Sequence, residues 1–283
     1  MNKRLQLPDQ PRVLVITMRR LGDVLLTTPL VRALRRGLPG SRVDMLVFSG
    51  SEGILAGNTD LERVIVVPQR PSIAAMTKLL GQLWRRYDVA ISTQSGDRPT
   101  FLAAVAGRLS VGLVDPGGAA WKRWLLSRAV VADLNVHRVI NLLRLAAPLG
   151  IDERPDVVLP ARVAPLAPRA RYAVVHAKPM QRVKQWTDNG WRALAAGLVQ
   201  RGLAVVATGG DAPDERAYLD RIWNPVRPPV ERMDRRLGWG ELATLLSGAA
   251  VYVGQDTSMT HLAAAAGCPT VGIYGPVSPP GSA

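Results

Sequence analysis

Asp256, Thr257, Ser258 and His261 stand in the run VYVGQDTSMTHLAAAAGCPTVGIYGP (251–276), where a β-branched stretch meets an alanine-rich one. Residues 251–253 read as a buried strand broken by Gly254. Residues 259–266 read as a helix ended by Gly267, and 268–274 as the next strand. Asp256, Thr257 and Ser258 are successive candidates for the helix N-cap. Strand, polar turn, helix and strand make one βαβ step, and ligands of such sheets gather at the carboxyl ends of the strands. A helix N-terminus there offers free N–H groups and a positive dipole end, which suits a phosphate. Asp256 and His261 can both look into that crevice.

Other residues offer matching chemistry. The turn MRRLGD (18–23) follows the first apolar run, where a nucleotide-binding fold often keeps its phosphate glycines. Gly22 lets the backbone approach a ligand closely. Asp23 has two readings: it accepts a proton from an attacking hydroxyl, or it is a plain N-cap. Lys184, in the loop before a helix at 188–201, either neutralises a leaving diphosphate or is merely solvated. Lys178 in the same loop carries the same two readings. Gly209-Gly210-Asp211 follows a strand, and Glu215 beyond it is within reach of ribose hydroxyls. His137 reads as a helix N-terminal residue, and Arg138 beside it could hold an acidic acceptor.

The elements that must position these groups alternate. Strands are expected at 12–18, 43–48, 63–67, 88–92 and around 111, with helices from Asp23 to about 37 and at 76–86, 100–106 and 137–149, and a short one at 52–57. The second half repeats the pattern: strands at 172–176 and 203–208, helices at 188–201, 214–223 and 239–246. Between the halves, 151–170 is proline-rich and aperiodic and reads as a linker. The expected architecture is α/β, with Rossmann-like domains at 1–150 and 171–283 and a cleft between them.

Composition narrows the function. The chain has 283 residues, 36 Lys+Arg against 22 Asp+Glu, and a formal charge of +14. That surface attracts polyanions in general: nucleic acid, anionic lipid or a phosphorylated sugar. The alternative is compositional drift, since the excess is nearly all arginine. No nucleic-acid motif supports that partner. One cysteine, Cys268, excludes a disulfide framework and a cysteine metal site, and the scattered histidines form no zinc motif. G-x-G-x-x-G, G-x-x-x-x-G-K-[ST] and G-x-S-x-G are absent, against a dehydrogenase, a P-loop enzyme and a serine hydrolase. No apolar run is long enough to span a bilayer, and the polar start lacks a signal-peptide core, so the cytoplasm is the expected compartment. The irregular span 114–131 mixes Trp121, Trp124, Leu125 and Leu126 with Lys122, Arg123 and Arg128. Such a mixture rests in a lipid headgroup layer, or its tryptophans pack on the domain under solvated cations.

RVLVITMRRLGDVLLTTPLVRAL, HRVINLLRLAAPLGI, VKQWTDNGWRALAAGL and VGQDTSMTHLAAAAGCPTVGIYGP together resemble glycosyltransferase family 9, the bacterial lipopolysaccharide heptosyltransferases, the heptosyltransferase III type most of all. The resemblance implies two facing Rossmann-like domains in the GT-B arrangement, the first for the lipopolysaccharide core acceptor and the second for ADP-heptose. It implies inverting transfer with no metal or other cofactor. Asp23 becomes the general base and Lys184 the stabiliser of the leaving ADP phosphates. Arg20, Gly22, Glu215, Asp256, Thr257, Ser258 and His261 join Lys184 in holding the donor, while Arg19, His137 and Arg138 hold the acceptor. Work on that acceptor implies peripheral contact with the inner face of the cytoplasmic membrane.

The chain departs from the family at Arg19-Arg20 and Lys178-Pro179, where small hydroxyl residues are common, and at Ser258, where glycine or alanine is common. Relatives also continue past the GP of the last motif, so the resemblance implies a C-terminal part that is incomplete. Two alternatives stay open: a related transferase with another nucleotide sugar, and a truncated, non-catalytic module that binds nucleotide sugar or glycolipid.

Overall fold

A computed structural model describes residues 5–163, 171–179, 181–227, 229–234 and 237–275. The later part of the expected linker, 164–170, and the short C-terminal end, 276–283, lie outside the described residues. The chain divides into two compact units, Met1–Val158 and Leu159–Ala283.

Unit 1 holds six parallel strands: β1 (Arg12–Thr17), β2 (Arg42–Phe48), β3 (Arg63–Val67), β4 (Tyr87–Ser92), β5 (Gly107–Val114) and β6 (Arg128–Val131). Their order is β3-β2-β1-β4-β5-β6, so the connection reverses direction between β1 and β4 and opens a crevice at their carboxyl ends. Parallel strands are covered on both faces and read as continuous apolar runs. In β1 every residue after Arg12 is buried. The helices are α1 (Leu21–Gly37), α2 (Ile73–Leu83), α3 (Asp97–Ala106), α4 (Ala120–Leu125) and α5 (Arg138–Leu143).

α1 is buried over most of its circumference. Pro29 inside it has no N–H for the Leu25 carbonyl, and Thr28 Oγ1 donates to that carbonyl at 2.8 Å instead. The same hydroxyl accepts from Val158 N at 2.8 Å. Ile151 also packs here, for a Cβ on Gly37 would lie 2.6 Å from its Cγ1. The beginning of the proline-rich stretch is therefore tied to unit 1.

β2 carries one buried carboxylate. Asp44, 3% exposed, accepts from Tyr87 Oη at 2.7 Å and from Arg63 Nη2 at 2.6 Å. Burial, then the bond to Asp44, raises the Tyr87 phenol well above its usual range. Asp44→Ala strands a buried hydroxyl and removes a charge pair, and should destabilise unit 1 by about 2–4 kcal/mol. Urea unfolding checks this; a loss below about 1 kcal/mol would make the network dispensable.

Several boundaries differ from the expectation. α1 begins at Leu21 with Arg20 as its cap, so Asp23 lies in the first turn rather than capping it. α2 starts at Ile73 because Ser72 caps it, accepting from Ala75 N at 3.2 Å. The helix expected over 137–149 is α5 followed by a 3-10 turn, Arg144–Leu149, where Pro148 removes an N–H from the helical ladder. The irregular span 114–131 contains α4 and β6. Its tryptophans do not both pack on the domain: Trp124 is 88% exposed.

Unit 2 repeats the pattern with β7 (Tyr172–His176), β8 (Ala204–Thr208), β9 (Glu231–Arg232), β10 (Val251–Gln255) and β11 (Thr270–Ile273), ordered β11-β10-β7-β8-β9. The reversal falls between β7 and β10. Its helices are α6 (Asp188–Gln200), α7 (Pro213–Trp223), α8 (Trp239–Gly248) and α9 (Ser258–Ala265). The core centres on Trp191, wholly buried and edge-on to both Trp186 and Trp223. Gly254 does not break β10, which runs through it. A Cβ there would lie 2.0 Å from Tyr252 Oη, so the glycine makes room for that ring.

Candidate functional site

At the β1/β4 crevice of unit 1, Asp23 sits one turn into α1. Thr27 Oγ1 donates to the Asp23 carbonyl at 2.7 Å. The hydroxyls of Thr17, Thr27 and Thr93 form a buried chain with spacings of 3.4 and 3.0 Å, which ties the start of α1 to the ends of β1 and β4. Arg138, the first residue of α5, donates from Nη2 to Thr93 O at 2.8 Å. Its Nε lies 3.7 Å from Asp23 Oδ1, an ion pair too long to be a hydrogen bond. Burial lowers the Arg138 pKa, the Asp23 charge raises it and Arg19 lowers it; the guanidinium stays a cation throughout. Asp23 thus faces a fixed, largely desolvated positive charge, with its own carboxylate partly open.

Of the other residues expected here, Gly22 is buried in the first turn, and Arg19 and Arg20 are exposed. His137 is the N-cap of α5, its Nδ1 accepting from Val139 N at 3.3 Å. That is the helix N-terminal reading of the histidine.

At the β7/β10 crevice of unit 2, Lys184 closes a 3-10 turn (Arg182–Lys184) and its Nζ lies 2.5 Å from Asp256 Oδ2. The Gln255 side-chain amide donates to the Lys184 carbonyl. Both members of the ion pair keep about a third of their side chains in solvent. Thr257 caps α9, its Oγ1 accepting from Met259 N at 3.3 Å. His261 lies one turn further into α9 and is half-buried.

Beside that helix tip opens a cavity of about 500 Å³. Its lining is mixed: Thr257, Ser258, Thr208, Gly210 and Glu215 are polar, and Met233, Leu237, Trp239 and Leu242 are apolar. Glu215 Oε1 accepts from Gly210 N at 2.6 Å, so one carboxylate oxygen is already spent on the loop. Lys178, also on the lining, pairs with Asp214 at 2.9 Å. An apolar wall, a carboxylate and a helix N-terminus around one space suit a flat ring, a polyol and an anion together. The structure thus gathers Glu215, Thr257 and Ser258 on one cavity, and Lys184 with Asp256 as a pair one residue away. Met233, Leu237, Trp239 and Leu242 were not anticipated: they come from the segment after β9 and from α8 and belong to no recognisable motif.

His176 also lines the cavity, its Nδ1 3.1 Å from Thr208 Oγ1. Burial pushes its pKa down to about 4 from an ordinary 6.5. The native state therefore refuses a proton that the unfolded chain accepts. Stability from this group is complete above the unfolded value and declines as pH falls from about 6.5 towards about 4. The loss approaches about 3 kcal/mol at most, less where cavity water reaches the ring. His176→Gln should flatten the fall in urea midpoint between pH 7 and about 4.5; identical slopes in both proteins would contradict it.

Among the described residues there is no group of three or more His, Cys, Asp or Glu that could hold a metal, and no helix is long and apolar enough to cross a membrane.

Comparison with known proteins bears on the family and the fold. The model of glycosyltransferase family 9 (heptosyltransferase) matches residues 76–281. Lipopolysaccharide heptosyltransferase 1 of Pseudomonas aeruginosa is 30% identical over 296 aligned residues, covering 95% of this chain and 79% of that protein. Lipopolysaccharide heptosyltransferase 3 of Escherichia coli K12 is 24% identical, covering 91% and 80%. Among solved structures, E. coli heptosyltransferase WaaC with ADP-2-deoxy-2-fluoro heptose superposes with a TM-score of 0.77 at 25% identity, over 96% of this chain and 91% of that one. The α/β fold class expected from the motifs, two Rossmann-like domains of the GT-B kind, is the one found.

Proposed function

This chain belongs to glycosyltransferase family 9, and we propose that it transfers heptose from ADP-heptose to the inner core of lipopolysaccharide at the cytoplasmic face of the inner membrane. Unit 1 takes the acceptor and unit 2 the donor. Asp23 removes the proton from the acceptor hydroxyl as its oxygen bonds to the anomeric carbon. The bond from that carbon to the diphosphate breaks on the opposite side, ADP leaves with the electron pair, and the configuration inverts. Lys184 and the N-terminal amides of α9 meet the charge that develops on the diphosphate, and no metal ion is invoked.

Arg20, Gly22, Asp256, Thr257, Ser258 and His261 complete the donor contacts. Glu215 takes ribose hydroxyls with the oxygen that Gly210 leaves free. Arg19, His137 and Arg138 receive the anionic acceptor. The observation that carries the reading is the helix N-terminus of α9, with a paired lysine beside it, on the lining of a cavity of mixed polar and apolar character. In support, a related enzyme is known with an ADP-heptose analogue.

The test is donor choice followed by transfer. ADP-heptose should raise the melting midpoint, by about 2.7 kcal/mol of stabilisation at a hundredfold excess over Kd, and UDP-sugars should not. Mass spectrometry of a core acceptor should then show one added heptose. Equal stabilisation by UDP-sugars would shift the reading to another donor, and donor binding without transfer would shift it to a non-catalytic module.

A further inference from the structure

The crossover between β5 and β6 exposes apolar surface to which the reading above assigns no role. No residue of α4 is buried: Trp121 is 46% exposed, Trp124 88% and Leu125 39%. Phe101, on the neighbouring helix α3, is half exposed as well. Aromatic side chains clustered in water with cations between them mark a surface that meets a second phase.

The turn is held firmly and at a defined place. Lys122 Nζ lies 2.8 Å from Asp97 Oδ1, donates to the Ser95 carbonyl and stands 5.6 Å from the Trp121 ring centre. Ser95 and Asp97 follow the carboxyl end of β4, and α4 itself follows the carboxyl end of β5. Asp23 follows the carboxyl end of β1. In a parallel sheet these ends share one edge, so the exposed tryptophans and Asp23 belong to the same edge of unit 1.

We propose that α4 docks the protein on an anionic bilayer, with Trp121, Trp124 and Leu125 entering the headgroup layer and Arg123 pairing with lipid phosphates. Tryptophan suits that layer because it joins a large apolar ring to one N–H donor. Arginine forks onto phosphate oxygens. A chain of formal charge +14 is drawn to a negative surface and repelled by its own copy, which favours lipid over self-association. The inference rests on the reading above, in which the acceptor is a lipid, and says how that lipid is brought to the edge carrying Asp23.

The experiment compares the full chain with a Trp121→Ser/Trp124→Ser variant in vesicle co-sedimentation. The probes are phosphatidylglycerol–phosphatidylethanolamine vesicles and pure phosphatidylcholine vesicles. Wild type should bind the anionic vesicles, bind phosphatidylcholine weakly, and lose binding in about 0.5 M NaCl. The double variant should bind at least about tenfold more weakly. Because no residue of α4 is fully buried and Trp124 is 88% exposed, the variant's melting midpoint should fall by no more than about 4 °C. Its turnover on vesicle-embedded acceptor should fall in parallel, while turnover on a deacylated, water-soluble acceptor stays within about twofold.

Wild type that ignores anionic vesicles, or a variant that binds them equally, overturns the proposal. So does equal loss on the soluble acceptor, which would make the tryptophans part of the sugar site. A wild-type dimer that the double substitution converts to monomer overturns it too, in favour of a second copy. Tryptophan-dependent binding without transfer to either acceptor leaves the docking surface standing and removes the transferase reading alone.

Discussion

Asp23→Ala should lower turnover by about a thousandfold while the donor still binds. Without the carboxylate, the acceptor hydroxyl must lose its proton to water, and a positioned base is worth about 10²–10⁴ in rate. The fold should tolerate the change, because Asp23 is partly open and its charged neighbour Arg138 keeps its bond to Thr93 O. Asp23→Asn preserves shape and should be nearly as inactive. Single-turnover transfer, with ADP-heptose-induced thermal shifts run beside it, separates loss of chemistry from loss of binding. Turnover within about tenfold of wild type would remove Asp23 from the role of base.

Lys184→Ala should reduce turnover by about 10²–10³ and weaken the donor by about tenfold. Two effects combine. In the proposed mechanism the cation that meets the leaving diphosphate would be gone, and Asp256, left without Lys184 beside the α9 N-terminus, would repel the phosphates. Asp256→Asn, which keeps the lysine and removes the repulsion, should therefore cost much less than Lys184→Ala. Lys184→Arg should rescue in part, since the guanidinium keeps the charge but replaces a compact ammonium with a wider, planar set of donors. Steady-state kcat and donor Kd decide the matter. A variant with unchanged kcat and raised KM would show that Lys184 binds the donor equally in ground and transition states.

The βαβ alternation was readable wherever burial was continuous. RVLVIT and YAVVH are apolar runs that only a covered parallel strand explains. β6 escaped because it is an edge strand of four residues, none of them fully buried. β9 is two residues long and carries no pattern at all. Gly254 misled in the other direction: a glycine that makes room for the Tyr252 ring looks, in a bare sequence, like one that ends a strand.

In the candidate site, the company kept by residues of one motif was legible. Asp256, Thr257 and Ser258 sit at one helix tip because they are consecutive. The pairing of Asp256 with Lys184 spans 72 positions and was not readable from spacing. Met233 and Trp239 are ordinary apolar residues until the chain closes a cavity around them.

The missing side chain of Gly190 governs more than its own helix. A Cβ there would lie 2.6 Å from Trp186 Cε2, and the Trp186 indole meets Trp191 edge-on, with ring centres 5.3 Å apart. Trp186 stands two positions beyond Lys184, so this aromatic wedge registers the lysine's loop against the interior of unit 2. The aim of the ammonium is thus set by the domain's packing together with the bonds to Asp256 and Gln255. A single methyl at Gly190 would act at a distance, detuning the lysine while touching no ligand.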